Sequence, residues 1–171
     1  MSTQRRRFIR RFAATFGAIA LIGLTWLVWF GRQKVKLVNA MTHVVDGNPT
    51  SAQLVAYLKE FENGVIVGNA MTLLEYRRDP AAVDEAARFL ESDDEYVWFG
   101  AALYLGAVQD ERAIPYLIKG FRHPATKSRK KIPGYLEPMT GEDLGPDQDE
   151  WIKWWREKHP DTAFTFKMDR P

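Results

Sequence analysis

Leu105-Gly106-Ala107-Val108-Gln109-Asp110-Glu111-Arg112-Ala113-Ile114-Pro115-Tyr116-Leu117-Ile118 reads as the join between two amphipathic helices. Upstream, Val97, Ala101, Tyr104 and Leu105 recur at i, i+4, i+7 and i+8 behind the capping cluster Ser92-Asp93-Asp94. Downstream, Ile114, Leu117, Ile118 and Phe121 repeat the pattern. Gly106 suits the end of the first helix, and Asp110 suits the N-cap of the second. Pro115 falls early in that helix, where a missing N–H costs little.

The pattern recurs at a fixed distance. A shift of 31 residues superposes Ile66 on Val97, Ala70 on Ala101, Leu74 on Leu105 and Asp79 on Asp110. It continues with Val83 on Ile114, Ala86 on Leu117, Ala87 on Ile118 and Leu90 on Phe121. A period of this size spanning two helices marks a stacked helical array. A single helix pair cannot bury its apolar face alone, so neighbours must stack.

The 105–118 stretch resembles the short bacterial HEAT-like repeat first noted in phycobilisome lyases. That repeat carries Leu-Gly, a short gap, Asp, then Arg-Ala and an aliphatic-Pro-x-Leu run, matched here by Leu105-Gly106, Asp110, Arg112-Ala113 and Ile114-Pro115-Tyr116-Leu117. Tyr135 to Gly141 and Trp151-Ile152-Lys153-Trp154-Trp155 also look like endings of such arrays, so the resemblance covers roughly residues 64–158. It implies an α-solenoid used as a scaffold. Lyase activity is not implied, since no cysteine and no catalytic motif of that family is present.

Outside the best-matched unit the helical reading continues. Thr50 or Ser51 caps a helix with Leu54, Val55, Leu58 and Phe61 on one face, stopped by Asn63-Gly64. Asp79-Pro80 opens another. No alternating strand segment appears. The last unit departs from the period: Trp151 or Ile152 stands some six residues late for the place of Ile114, after an insertion holding Pro138 and Gly141-Glu142-Asp143-Leu144-Gly145-Pro146-Asp147. Terminal repeats are commonly atypical because they cap the stack. The repeat domain is expected over 51–160, with a C-terminal tail over 161–171.

The N-terminal part differs in kind. Residues 12–31, FAATFGAIALIGLTWLVWFG, contain no charged residue and no His, Asn or Gln. As a helix they would extend roughly 30 Å, the thickness of a bilayer's hydrocarbon core. Trp26, Trp29 and Phe30 lie toward one end, where aromatic rings favour the membrane–water interface. Arg5, Arg6, Arg7, Arg10 and Arg11 precede the stretch, and Arg32, Lys34 and Lys36 come after it. The bias places the basic segment 1–11 in the cytoplasm and the repeat domain across the membrane, in the periplasm if the cell is Gram-negative.

A cleaved signal and a buried soluble helix are the competing readings. Arg5-Arg6-Arg7-Phe8-Ile9-Arg10 resembles the twin-arginine export motif, with Gln4 where that motif has Ser or Thr. Length and flanks favour a retained anchor. Residues 32–50 read as a linker ending in the turn cluster Asp46-Gly47-Asn48-Pro49.

Charge narrows the partners. The formal net charge is +2, but residues 1–36 hold 8 Lys and Arg and no acid, which leaves 16 basic against 22 acidic residues, net −6, for the remainder. The basic arm faces anionic headgroups. The acidic remainder is a poor match for nucleic acid, whose binding depends on neutralising phosphates. With no cysteine, disulfides, thiolate zinc sites and thiol nucleophiles are excluded.

The candidate sites are few. His43, His123 and His159 stand isolated, without metal spacing, and read as surface or linker residues. Glu142, Asp143, Asp147, Asp149 and Glu150 lack the spacing of a calcium loop and read as acids before a helix start. No nucleophile elbow, phosphate loop or dinucleotide fingerprint occurs. Catalytic, cofactor and metal residues are therefore expected to be absent.

Two features remain as partner-binding candidates. One is the basic run Lys127, Arg129, Lys130 and Lys131 with Arg122 before it, either a solvated helix start or a dock for an acidic partner. The other is Trp151 and Trp155 on one helix side, either sealing the last repeat, which their area favours, or anchoring a partner. The chain is expected to be all-α: a transmembrane helix, then a HEAT-like solenoid of about three repeats. It should act as a protein-binding adaptor or accessory subunit without chemistry of its own. A structural spacer, or an enzyme accessory binding a small ligand, is the alternative.

Overall fold

The computed structural model describes the backbone of residues 3–160 and the side chains of 24–160. Helix α1 runs Thr3–Asp46. After it come α2 Ser51–Glu60, α3 Gly64–Arg77, a 3-10 turn Pro80–Ala82 leading into α4 Val83–Ala87, and α5 Glu95–Ala107. A second 3-10 turn, Glu111–Ala113, leads into α6 Ile114–Gly120, and α7 Thr126–Arg129, α8 Ile132–Thr140 and α9 Gln148–Lys158 complete the order. No strand occurs among the described residues.

The chain divides into two units, Met1–Thr42 and His43–Pro171. The first is helix. In it the stretch expected as a linker continues α1 through Arg32, Lys34 and Lys36, and only the turn cluster after Asp46 ends the helix. Nothing between Arg32 and Val45 is a Gly or Pro, so no residue there interrupts the helical ladder. Among the described residues no helix is long and apolar enough to cross a membrane. The side chains of 12–23, the first part of the apolar stretch, lie outside the described residues. Beyond them, Leu24, Trp26, Leu27, Val28, Trp29 and Phe30 are all exposed to solvent.

The second unit is the helical array. Helices α3, α5 and α8 form one layer, and α2, α4, α6 and α9 the other: α5 packs on α3, α4, α6 and α8, α2 on α3 and α4, and α6 on α8 and α9. The apolar positions at the 31-residue period become the core: Ile66, Ala70 and Leu74 of α3, Val97, Ala101 and Leu105 of α5, and Ile132 and Leu136 of α8 are buried. Helix α5, central in its layer, is buried over most of its length.

The period is written in the backbone as well. The Asp79 carboxylate accepts from Ala81 N–H, Asp110 from Arg112 N–H and Asp147 from Asp149 N–H, so all three open their helices in the same way. The helices α3 and α5 end alike. Asp79 N–H donates to Leu74 C=O and Asp110 N–H to Leu105 C=O, across Arg78 and Gln109 in the left-handed conformation, with φ of 50° and 61°. This is a Schellman-type ending, and it needs φ > 0 at one residue. Gly106, expected to stop α5, instead lies inside it. A Cβ at Gly106 would stand 2.9 Å from Leu117 Cδ1 and 3.1 Å from Tyr135 Cβ. Its glycine lets the layers approach, and the turn is made three residues later. The insertion in the last unit ends α8 on Gly141, at φ 74°, and delays α9 to its own aspartate cap at Asp147.

Tyr104 clamps one of these turns from the next repeat. Its hydroxyl donates to Asp79 C=O at 2.6 Å and accepts from Ala82 N–H at 3.1 Å. The side chain is fully buried, and that burial holds the phenol protonated by raising its pKa. Tyr104→Phe keeps the ring but leaves a carbonyl and an N–H without partners, at an expected cost of about 1–3 kcal/mol. Urea unfolding of the repeat domain measures it. A change below about 0.5 kcal/mol, the range of inert surface substitutions, would show that the clamp contributes nothing.

Candidate interaction surface

The basic run does not stay together. Lys131, just before α8, reaches across to α3 and sits 2.7 Å from Glu75 Oε1, an atom that also accepts from the Tyr135 hydroxyl at 2.6 Å. Glu75 is 7% exposed, so Lys131 compensates a buried carboxylate between first and last repeats. Burial, then Glu75 itself, raises the Tyr135 pKa, which keeps its proton on the hydrogen bond. Arg129 turns inward on its own turn, donating to Phe121 C=O at 2.9 Å and to the Thr126 hydroxyl. Lys127 and Lys130 are left at the surface. Arg122 lies apart, after the end of α6, 3.6 Å from Asp149 of α9.

The tryptophans face inward. Trp151 is fully buried and donates from Nε1 to Gly145 C=O at 2.9 Å. Trp155 is 9% exposed and stacks on His159 with ring centroids 4.0 Å apart. Both seal the last repeat, and neither is an exposed anchor.

The histidines correct the sequence reading most. His123 is buried, stacked on Phe99 at 4.1 Å and edge-on to Tyr96 and Trp98. Its Nδ1 accepts from Ala125 N–H at 3.1 Å, which places the proton on Nε2, 3.2 Å from Glu95 C=O. His43 Nδ1 meets the Tyr57 hydroxyl at 2.7 Å.

Burial lowers the His123 pKa, against an opposing pull from Glu95 and with a smaller assist from Arg129. The unfolded chain therefore takes up a proton at about pH 6.5 that the folded one refuses until lower pH. Full stability from the neutral ring is present above about pH 6.5 and is lost as the pH falls toward the lowered value. Melting of wild type and His123→Asn at pH 7.5 and 5.5 checks this. The wild type should lose more on acidification than the variant, and equal losses would mean that His123 does not carry the slope.

A different surface is assembled where α6 meets α9. Arg122, Asp149, Ile152, Lys153, Arg156 and Glu157 line a groove of about 550 Å³. Asp149, Lys153, Arg156 and Glu157 form the exposed stripe of α9, while Gln148, Trp151, Ile152 and Trp155 are buried, Ile152 lying at the base of the groove. Gln148 fixes the helix against α6 by donating to Ile118 C=O at 2.8 Å. Arg122 and Asp149 close one side of the groove as a solvent-exposed ion pair.

Lys153 and Arg156 are exposed and form no ion pair among the described residues. The run of acids around them hides these two cations in the sequence. For Arg156 the signal lies in the register: once the six-residue insertion is allowed for, it comes after Arg88 and Lys119 at the same repeat position, whereas Lys153 comes after Glu85 and Tyr116 and has no such signal. Lys119 stands 4.0 Å over the Trp98 ring, and its burial lowers its pKa.

Among known proteins, no curated protein and no solved structure matches the chain. The family comparison does match, and it stops at Ile132, before the displaced last unit. Residues 51–132 match the HEAT repeats family, and HEAT-like repeats are what builds the array from α2 through α6.

Proposed function

We propose that this chain is a membrane-anchored adaptor that presents a HEAT-like array to a protein partner outside the cytoplasm. The observation that carries the reading is the array itself. HEAT-like repeats at 51–132 generally serve protein–protein interaction, and α9, packed on α6 at the end of the array, carries an exposed groove together with Arg122. The anchor rests on the uncharged stretch 12–31 and on the residues at its end. Leu24 to Phe30 expose apolar side chains around α1, and Arg32, Lys34 and Lys36 come next along the same helix. That order, apolar then aromatic then basic, suits passage from hydrocarbon to headgroups.

Two measurements test the reading. Photo-crosslinkers placed on α6 and α9 of the full chain in its native membranes should trap a distinct protein partner. Crosslinks to none would end the adaptor reading. Carbonate extraction should leave the chain in the membrane pellet, and protease added to spheroplasts should cut beyond residue 50. Release by carbonate would remove the anchor, and protection would reverse the topology.

A further inference from the structure

We infer that the groove between α9 and Arg122 takes an acidic, extended peptide segment of the partner, held by Lys153 and Arg156 with an apolar side chain against their aliphatic stems; this rests on the adaptor reading. The charge argument comes first. Residues 37–171 carry net −6, so an acidic segment is repelled by most of this surface. At the groove the balance reverses, with three cations against two acids. One of those cations, Arg122, is spent on Asp149, but Lys153 and Arg156 have no carboxylate within ion-pair distance among the described residues. Two uncompensated cations one helical turn apart match carboxylates spaced along an extended chain.

The shape agrees. The groove runs along the stripe of α9 from Asp149 to Glu157, a linear path and not a closed cavity. Ile152 and the aliphatic stems of Lys153 and Arg156 give it an apolar lining under a charged rim. Basic segments are excluded by the same two cations, and Asp149 and Glu157 at the edges limit how densely charged the segment can be.

The test uses the full chain in detergent and two fluorescein-labelled peptides of about twelve residues, enough to span the groove in extended form. One has Glu and Asp around a central Leu-Phe; the other replaces every acid with Lys. The acidic peptide should bind by anisotropy, and the basic one should not. Raising NaCl from about 50 to about 500 mM should weaken binding at least about tenfold, since exposed charge contacts are screened. Lys153→Glu with Arg156→Glu should weaken it by a similar factor or more, at unchanged melting temperature. Equal affinity for the two peptides, or an undiminished affinity in the double variant, would overturn the inference. So would loss of binding to phosphatidylglycerol vesicles in that variant with peptide affinity intact. If the photo-crosslinked partner is still trapped by the double variant, the groove assignment fails while the adaptor reading stands. If nothing crosslinks, both fail.

Discussion

Trp151→Ala should lower the melting temperature of the repeat domain more than any single truncation on its surface. Trp151 is fully buried, packs edge-on to Trp154 at 5.7 Å, and spends its one polar atom on Gly145 C=O. Removing a buried indole costs about 3–5 kcal/mol. For a domain near 100 residues each kcal/mol is worth roughly 4 °C, so a fall of about 12–20 °C is expected. Circular dichroism melts report it. The indole also holds the inserted loop through Gly145, so Trp151→Phe should recover part of the loss by refilling volume but not the hydrogen bond. A melt within about 3 °C of wild type for Trp151→Ala, less than about 1 kcal/mol, would mean that α9 is not integral to the stack.

Leu105→Ala and Leu117→Ala should each cost about 2–5 kcal/mol. Both side chains are fully buried, one in each layer. Leu117 Cδ1 lies where a Cβ on Gly106 would intrude, so it fills the space the glycine opens. Urea titration separates the two causes of a lowered midpoint: an unchanged m-value indicates lost packing alone. If both variants melt with wild type, the apolar faces assigned from the period are not the core.

Much of the architecture is legible from local chemistry. Asp79, Asp110 and Asp147 open helices because each carboxylate can take an N–H two residues on that the helix leaves unpaired, and so short a spacing is visible in a sequence. Ser51 shows how far that locality can mislead, for Thr50 rather than Ser51 supplies the cap, with Gln53 completing a capping box. Asn63-Gly64 reads as a stop in the sequence, yet Asn63 starts α3 by accepting from Val65 and Ile66 N–H. Asn serves both ends of helices, so the residue marks the boundary without saying which side owns it.

The candidate site is far less legible, for a reason of distance along the chain. Lys131 belongs to a basic cluster in sequence, yet its partner Glu75 is 56 residues away. Pairing consumes the charge that sequence counting leaves free. Lys153 and Arg156 are the reverse case. Acids nearby in sequence cancel them in a charge count, but none among the described residues comes close enough to pair. Part of a like-charged cluster in sequence, Arg129 and Lys131, therefore became structure, and a neutral-looking helix keeps two exposed cations beside Asp149 and Glu157.

The sequence by itself determined the all-α class of the repeat region, the 31-residue period and the aspartate-capped starts at Asp79, Asp94 and Asp110, because caps and amphipathic spacing act within a turn or two of chain. Only the tertiary structure decided that His123 is buried among aromatic rings, that Gly106 serves close packing while Arg78 and Gln109 take the left-handed turn, and that Lys153 and Arg156 form no ion pair among the described residues while Lys131 does. Those outcomes depend on groups brought together by stacking of repeats, and the energy of a buried polar or charged group is set by what surrounds it in space.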